Sequence, residues 1–142
     1  MNGSMVSILV VDDDKVDMMA IKRSLRALKI ANPIIEARNG IEALERLRGE
    51  NGCEKVPQPC LVLLDLNMPR MDGIEFLAEL RADAALRRTL VFVMTTSVAD
   101  EDRMRAYEKN VAGYVQKHRP GQSFLESVTM LELYWRVIVF PD

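Results

Sequence analysis

The chain has 142 residues, of which 49% are hydrophobic and 28% are charged, and its formal net charge is −2 at pH 7. This length suits one well-buried domain, and the composition is typical of an ordinary soluble globular protein. The small net charge excludes a broad basic field, so we expect no direct binding to DNA. No apolar run reaches the length that spans a bilayer, and the start MNGSMVSILVVDDD lacks the regions of a secretory signal, so we expect a cytoplasmic protein without membrane contact.

Five short segments are predicted to be strands, in chain order residues 8–11, 33–37, 61–64, 90–94 and 113–116. The first, third and fourth are continuously apolar, which is typical of parallel strands covered on both faces. The second and fifth are shorter or more polar and indicate strands nearer the sheet edges. Apolar residues at helical spacing occupy the first three gaps, namely Ile21, Leu25 and Leu28; Ile41, Leu44 and Leu47; and Ile74, Leu77 and Leu80.

A short polar residue followed three positions later by an acid marks the start of each predicted helix. These pairs are Asp14 and Asp17, Asn39 and Glu42, Asp72 and Glu75, Ser97 and Asp100, and Ser123 and Glu126. Such pairs are typical of N-caps and of looser forms of the capping box. Five strands therefore alternate with five helices, which predicts a doubly wound α/β fold with a parallel sheet of flavodoxin-like order 2-1-3-4-5.

Acidic residues follow two of the buried strands. Asp12, Asp13 and Asp14 come directly after the first strand, and Asp65 follows the third. Parallel strands bring such residues together at the carboxyl edge of the sheet, where open α/β folds bind ligands. Carboxylates placed there repel one another unless a cation lies between them. The sequence therefore predicts a divalent metal beside a nucleophilic aspartate, with phosphoryl transfer as the chemistry.

The three consecutive acids also have a simpler interpretation. Taken alone, they fit a solvated turn as well as they fit a metal site, and in such a turn Asp14 would cap the following helix. The pairing with Asp65 favours the metal site for Asp12 and Asp13, and we interpret Asp14 as the cap. We expect Met68 and Met71 to pack the loop after the third strand.

Several segments, in this order, resemble the receiver domains of two-component response regulators. They are VVDDD, the segment DLNMPRMDG that starts at Asp65, VMTTS with Thr95, and GYVQK with Tyr114 and Lys117. The resemblance covers nearly the whole chain and implies a receiver domain over residues 1–134, followed by an arm over residues 135–142. It also implies a stand-alone receiver, with no room for a DNA-binding output domain.

The resemblance implies that Asp65 is the phosphoacceptor, which takes a phosphoryl group from the phosphohistidine of a sensor histidine kinase. It implies an Mg²⁺ site formed by Asp12, Asp13, Asp65 and the backbone carbonyl of Asn67. The protein would then be a signalling protein rather than an enzyme, although it would assist its own phosphorylation and autodephosphorylation.

Three further residues have implied roles in the phosphorylated state. Thr95 and Lys117 are implied to contact phosphoryl oxygens, and Thr95 and Tyr114 are implied to change position on phosphorylation. In most receivers the lysine is followed by proline across a cis bond, whereas His118 follows Lys117 here. The isomer of this bond is left open by the sequence.

The tail differs from a plain receiver. Residues 137–140 form a β-prone apolar run that has no place in the predicted sheet. Together with KHRPGQSFL, YWRV and the closing FP, this run resembles the single-domain response regulators associated with bacterial phytochromes. That narrower resemblance implies a bacteriophytochrome kinase as partner and a homodimer joined through arms that contain Trp135, Val137, Ile138, Val139 and Phe140.

Two alternative functions share part of this site. An aspartate-nucleophile phosphatase would use the same metal and acyl phosphate. Such enzymes have the motif DxDx[TV] at the nucleophile, in which the second acid acts as general acid. Asn67 occupies the position of that second acid here, which argues against a phosphatase. A pseudo-receiver would be a binding module that has lost phosphorylation, and the intact set of acids, Thr95 and Lys117 argues against it.

Cys53 and Cys60 are expected to remain reduced and have no assigned role.

Overall fold

The structure is a computed structural model that describes residues 6–27, 32–58, 60–66, 68, 70–95, 111 and 113–116. Its elements are β1 (Ser7–Val11), α1 (Lys15–Ala27), β2 (Ile34–Ala37), α2 (Gly40–Arg48), β3 (Cys60–Asp65), α3 (Gly73–Ala82), β4 (Leu90–Thr95) and β5 (Gly113–Gln116). All five predicted strands and the first three predicted helices are confirmed. The predicted fourth and fifth helices lie outside the described residues.

The strands form one parallel sheet in the predicted order, β2-β1-β3-β4-β5. Every residue of β1 and β3 is buried, which explains the continuous apolar runs of residues 8–11 and 60–64 within these two strands. The register pairs Val11 with Leu64, so β1 and β3 end side by side. The loops that follow them therefore meet at the carboxyl edge of the sheet.

Two hydrophobic cores cover opposite faces of the sheet because alternate strand residues point in opposite directions. The stripe of α1 that packs on one face consists of Met18, Ile21 and Leu25. On the other face α2 and α3 bury Leu44, Leu47, Phe76, Leu77 and Leu80. Ile41 and Ile74 lie half-buried at the rim, and Leu28 is outside the described residues.

Within the described part of the chain, no helix has the length and apolar character needed to cross a membrane.

The predicted N-caps fix where α2 and α3 begin. Asn39 accepts a hydrogen bond of 2.9 Å from the backbone N–H of Glu42. Asp72 accepts one of 2.9 Å from the N–H of Glu75, whose side chain accepts one of 3.1 Å from the N–H of Asp72. This reciprocal capping box satisfies two donors at the start of α3. The predicted caps Ser97 and Ser123 lie outside the described residues.

Candidate functional site

Three of the predicted acids come together at the carboxyl edge of the sheet. One carboxylate oxygen each from Asp12, Asp13 and Asp65 lies within 4.8 Å of the other two. Asp12 and Asp65 are only 2% and 6% exposed, whereas Asp13 is exposed to solvent. The cluster therefore has a buried base formed by two carboxylates and one carboxylate at its open side.

The sheet itself positions the two buried acids. Asp65 is the last residue of β3 and pairs with Met94 of β4. The backbone N–H of Asp12 donates a hydrogen bond of 3.0 Å to the carbonyl of Ala37 at the end of β2. The Asp12 carboxylate accepts a hydrogen bond of 2.9 Å from the N–H of Asp14, which closes a local turn. Both carboxylates thus extend from backbone that the sheet holds in place.

Asp14 caps α1 and is not one of the three acids of the cluster. Its Oδ1 atom accepts hydrogen bonds from the N–H groups of Val16 at 2.8 Å and Asp17 at 3.1 Å. These are two of the donors that the first turn of a helix leaves without an intrahelical partner. The interpretation of Asp14 as the cap of α1 is therefore confirmed.

The loop after Asp65 is anchored to both α2 and α3. The carbonyl of Leu66 accepts a hydrogen bond of 2.9 Å from the N–H of Gly73, and that of Met71 accepts one of 3.2 Å from Gly40. Met68 is buried in the core beneath α2 and α3, and Met71 packs against the same core. The prediction that these methionines pack the loop is confirmed.

The donor set fits a divalent cation that prefers oxygen ligands. Mg²⁺ takes about six oxygens at about 2.0–2.1 Å and keeps several of them as water. Three carboxylates with oxygens within 4.8 Å of one another offer a partial ligand set, and the exposure of Asp13 leaves one side open to water. Two buried neighbouring acids also carry like charges that a cation offsets. The residues present therefore fit Mg²⁺ or Mn²⁺.

The other predicted site residues are described in part or not at all. Thr95 ends β4 one position beyond Met94, the partner of Asp65, so the sheet register brings it to the same edge. Tyr114 lies in β5 and pairs with Val93. Asn67, Lys117, His118 and the arm residues 135–142 lie outside the described residues.

The two cysteines lie apart from the acids. Cys60 is the first residue of β3, at the opposite end of the strand from Asp65. Burial raises the pKa of its thiol to about 12, so the thiol stays protonated and poorly reactive at neutral pH. Cys53 is half-buried, and both are free thiols as predicted.

One residue of the site was not singled out from the sequence. Gly73, the first residue of α3, packs against the backbone of Asp65 and Leu66. Its only sequence signal is the turn-forming pair that it makes with Asp72. A close approach between two backbone segments leaves no pattern of polarity or spacing, so sequence reasoning had no means to find it.

Known proteins share this fold and chain length. The family model for the response regulator receiver domain matches residues 8–129. The response regulator Rcp1 of Synechocystis sp. is 36% identical over 128 residues, a match that covers 90% of this chain and 87% of Rcp1. The match therefore includes most of both proteins.

Solved structures agree with the sequence matches. The Mn²⁺-bound form of Rcp1 superposes with a TM-score of 0.82 at 34% identity, covering 96% of this chain and 99% of that chain. The phosphorylated cyanobacterial phytochrome response regulator RcpA gives a TM-score of 0.83 at 31% identity, covering 98% and 100%. The bacteriophytochrome response regulator AtBRR gives 0.81 at 28% identity, covering 99% of each chain. The chain therefore belongs to the response regulator receiver domain family and is related to the phytochrome response regulators.

Proposed function

We propose that the protein is a cytoplasmic, single-domain response regulator. It accepts a phosphoryl group on Asp65 from a sensor histidine kinase. The observation that carries this proposal is the cluster of Asp12, Asp13 and Asp65 at the carboxyl edge of the sheet. The names of the related phytochrome regulators support a bacteriophytochrome as the kinase. The output would be a change of conformation read by other proteins, without direct contact to DNA.

The chemistry is a transfer of one phosphoryl group between two nucleophiles. An oxygen of the Asp65 carboxylate attacks phosphorus while the bond from phosphorus to the imidazole nitrogen of the donor breaks. The departing imidazole nitrogen takes a proton from water, so the products are an acyl phosphate and a neutral histidine. Because Asp65 ends a strand that is buried along its whole length, its carboxylate is oriented before the donor arrives. Hydrolysis of the acyl phosphate by water would return Asp65 to its original state.

The neighbouring residues have distinct proposed tasks. Asp12, Asp13, Asp65 and the backbone carbonyl of Asn67 would hold Mg²⁺, which when bound offsets the negative charge of the acids and of the phosphoryl group. Thr95 would donate a hydrogen bond to one phosphoryl oxygen, and Lys117 would pair with another. Two relatives support this assignment, since Rcp1 has been crystallised with Mn²⁺ and RcpA in phosphorylated form.

Intact-mass spectrometry after incubation with acetyl phosphate and Mg²⁺ tests the proposal. A response regulator is expected to give a single phosphoryl adduct that persists long enough to be detected. An aspartate-nucleophile phosphatase would release phosphate continuously without accumulating the adduct. A pseudo-receiver would give neither product. The second and third outcomes would each contradict the proposed function.

Phosphorylation is expected to shift Thr95 and Tyr114. The acyl phosphate adds about −1.5 to −2 charge, which favours the conformation in which Thr95 approaches the phosphoryl group. We propose that Tyr114 follows Thr95 inward, because the two residues lie on the paired strands β4 and β5. Crystal structures with and without beryllofluoride, a mimic of the phosphoryl group, test this proposal. Unmoved Thr95 and Tyr114 side chains in the bound form would contradict it.

The arm over residues 135–142, which follows the receiver domain of residues 1–134, is proposed to join two copies of the chain. Burial of Val137, Ile138, Val139 and Phe140 in a partner would remove an apolar run from water, at roughly 1.5–3 kcal/mol per large side chain. Exchange of identical arms about a two-fold axis is a common way to form such a dimer. Trp135 would flank the contact.

Deletion of residues 136–142 is expected to give a monomer or an aggregate in multi-angle light scattering. Labelling of Asp65 by acetyl phosphate should persist in this variant, because the acids lie at the sheet edge and come from the first 65 residues. The untruncated protein serves as the control and should be a dimer at micromolar concentration. A monomeric untruncated protein would contradict the proposed arm exchange.

A further inference from the structure

Gly73 lies where α3 approaches the backbone that carries the phosphoacceptor. Its N–H donates a hydrogen bond of 2.9 Å to the carbonyl of Leu66. A Cβ atom at this position would lie 2.8 Å from the carbonyl oxygen of Asp65 and 2.8 Å from the Cα of Leu66. Real Cβ atoms essentially never come this close to backbone atoms. A residue with a side chain can therefore begin α3 here only if the neighbouring backbone shifts.

The backbone does not need glycine for any other reason. The glycines with positive φ in the described residues are Gly49 and Gly52, so Gly73 has a conformation that other residues adopt freely. The requirement is therefore one of space, and the space is filled by the peptide between Asp65 and Leu66.

Neither side of this contact can move away easily. Asp65 belongs to β3, which pairs with β1 on one side and with β4 on the other. Leu66 is 0% exposed. The start of α3 is held by the capping box of Asp72 and Glu75, and its inner face is buried through Phe76, Leu77 and Leu80. A methyl group at Gly73 would therefore have to displace the peptide that follows Asp65.

We propose that Gly73 is a positioning residue for Asp65. By leaving room for the peptide after Asp65, it sets where the Asp65 carboxylate lies relative to Asp12 and Asp13. A displacement of that peptide by a few tenths of an ångström passes directly to the Asp65 Cα atom and its side chain. This inference rests on the proposed function of Asp65 as the phosphoacceptor.

Gly40 provides a matched control. It is the first residue of α2, follows the N-cap Asn39, and like Gly73 does not have a positive φ. The three atoms nearest to a Cβ at Gly40 all belong to the side chain of Met71, with Cγ at 2.7 Å, Sδ at 2.9 Å and Cβ at 3.0 Å. Rotation of the flexible methionine side chain relieves the two shorter contacts, so that only the contact of 3.0 Å with the Met71 Cβ remains. Alanine changes helix propensity and the unfolded chain similarly at both sites, but only Gly73→Ala presses on Asp65.

The test measures two properties of the folded full-length protein for the wild type, Gly73→Ala and Gly40→Ala. The first is the Kd for Mg²⁺, followed by the NMR shift of the Asp13 amide. The second is the rate of labelling by acetyl phosphate at saturating Mg²⁺, followed by intact mass. Since a misplacement of 1 Å can cost about a hundredfold in rate, we expect Gly73→Ala to lower the labelling rate about tenfold and to raise the Kd. Gly40→Ala should stay within about twofold of the wild type.

These readouts separate positioning from a general loss of stability. A lower free energy of unfolding does not alter the Kd or the labelling rate of molecules that remain folded, and circular dichroism verifies that they are folded. Equal values for Gly73→Ala and Gly40→Ala would overturn the inference. Failure of Gly73→Ala to fold would overturn it too, because glycine would then be a requirement of folding. If the wild type is not labelled at all, the proposed function fails, while the Kd values still decide whether Gly73 positions Asp65.

Discussion

Asp65→Asn is expected to abolish phosphorylation while leaving the fold intact. Asparagine has nearly the same shape as aspartate and can occupy the same buried position at the end of β3, where Asp65 is 6% exposed. Its neutral amide, however, is a poor nucleophile toward phosphorus, and the substitution removes one negative charge from the proposed cation site. We expect the phosphoryl adduct to fall below detection in intact-mass spectra after treatment with acetyl phosphate and Mg²⁺.

Asp14→Asn is the matched control for this experiment. It makes the same chemical change two residues from Asp12, but Asp14 caps α1, and asparagine is an equally good N-cap. Labelling of Asp14→Asn should therefore equal that of the wild type. Full labelling of Asp65→Asn, with the adduct mapped to Asp12, Asp13 or His118, would refute the assignment of the phosphoacceptor.

Asp13→Ala is expected to weaken Mg²⁺ binding strongly and to slow labelling in proportion. Asp13 forms the exposed side of the acidic cluster, so its removal takes away a carboxylate without opening a cavity in the core. Loss of a residue that only supports a metal ligand typically costs 10- to 100-fold in affinity, so loss of a ligand should cost about 100-fold. Chelation of all divalent cations should likewise prevent labelling of the wild type, because the acids repel a negatively charged donor.

Asp14→Ala should show the opposite pattern. Loss of its hydrogen bonds to Val16 and Asp17 removes an N-cap, which typically lowers the free energy of unfolding by about 0.5–2 kcal/mol. Its Mg²⁺ affinity should remain close to that of the wild type. Calorimetric titration with Mg²⁺ and thermal unfolding in chelator measure the two effects separately. Equal losses of Mg²⁺ affinity in both alanine variants would mean that Asp14 is part of the metal site.

Most of the fold was predictable because its signals are local along the chain. The continuous apolar sequences of β1 and β3 indicate strands covered on both faces, and the structure buries every residue of both. The N-caps Asn39 and Asp72 mark helix starts through bonds that span only three residues. Right-handed connections then limit the strand order to a few possibilities, of which 2-1-3-4-5 is a common one for doubly wound sheets.

The meeting of Asp12, Asp13 and Asp65 was predictable for a related reason. Both segments follow strands of one parallel sheet, and parallel strands place their carboxyl ends at a shared edge whatever the details of packing. The type of residue and its place at the end of a strand therefore determine which acids meet.

The tertiary structure was needed to show how deeply each of the adjacent acids is buried. In the sequence, the pairing with Asp65 already separates Asp12 and Asp13, as candidate metal ligands, from Asp14, as the cap of α1, but no pattern of residues distinguishes the buried Asp12 from the exposed Asp13. The hydrogen bond from Asp12 to Ala37 of β2 fixes the turn of the chain that buries the Asp12 carboxylate and directs Asp14 toward α1. That hydrogen bond joins residues that are far apart in the chain, so no local sequence pattern predicts it.

The same holds for Gly73. The pair Asp72 and Gly73 predicts a turn before a helix, because turn and cap preferences depend on the nearest residues. That the start of α3 lies against the carbonyl of Asp65 depends on how Phe76, Leu77 and Leu80 pack on the sheet. Distances between packed elements arise from the combined shapes of many side chains, and a pattern of residue types does not carry them.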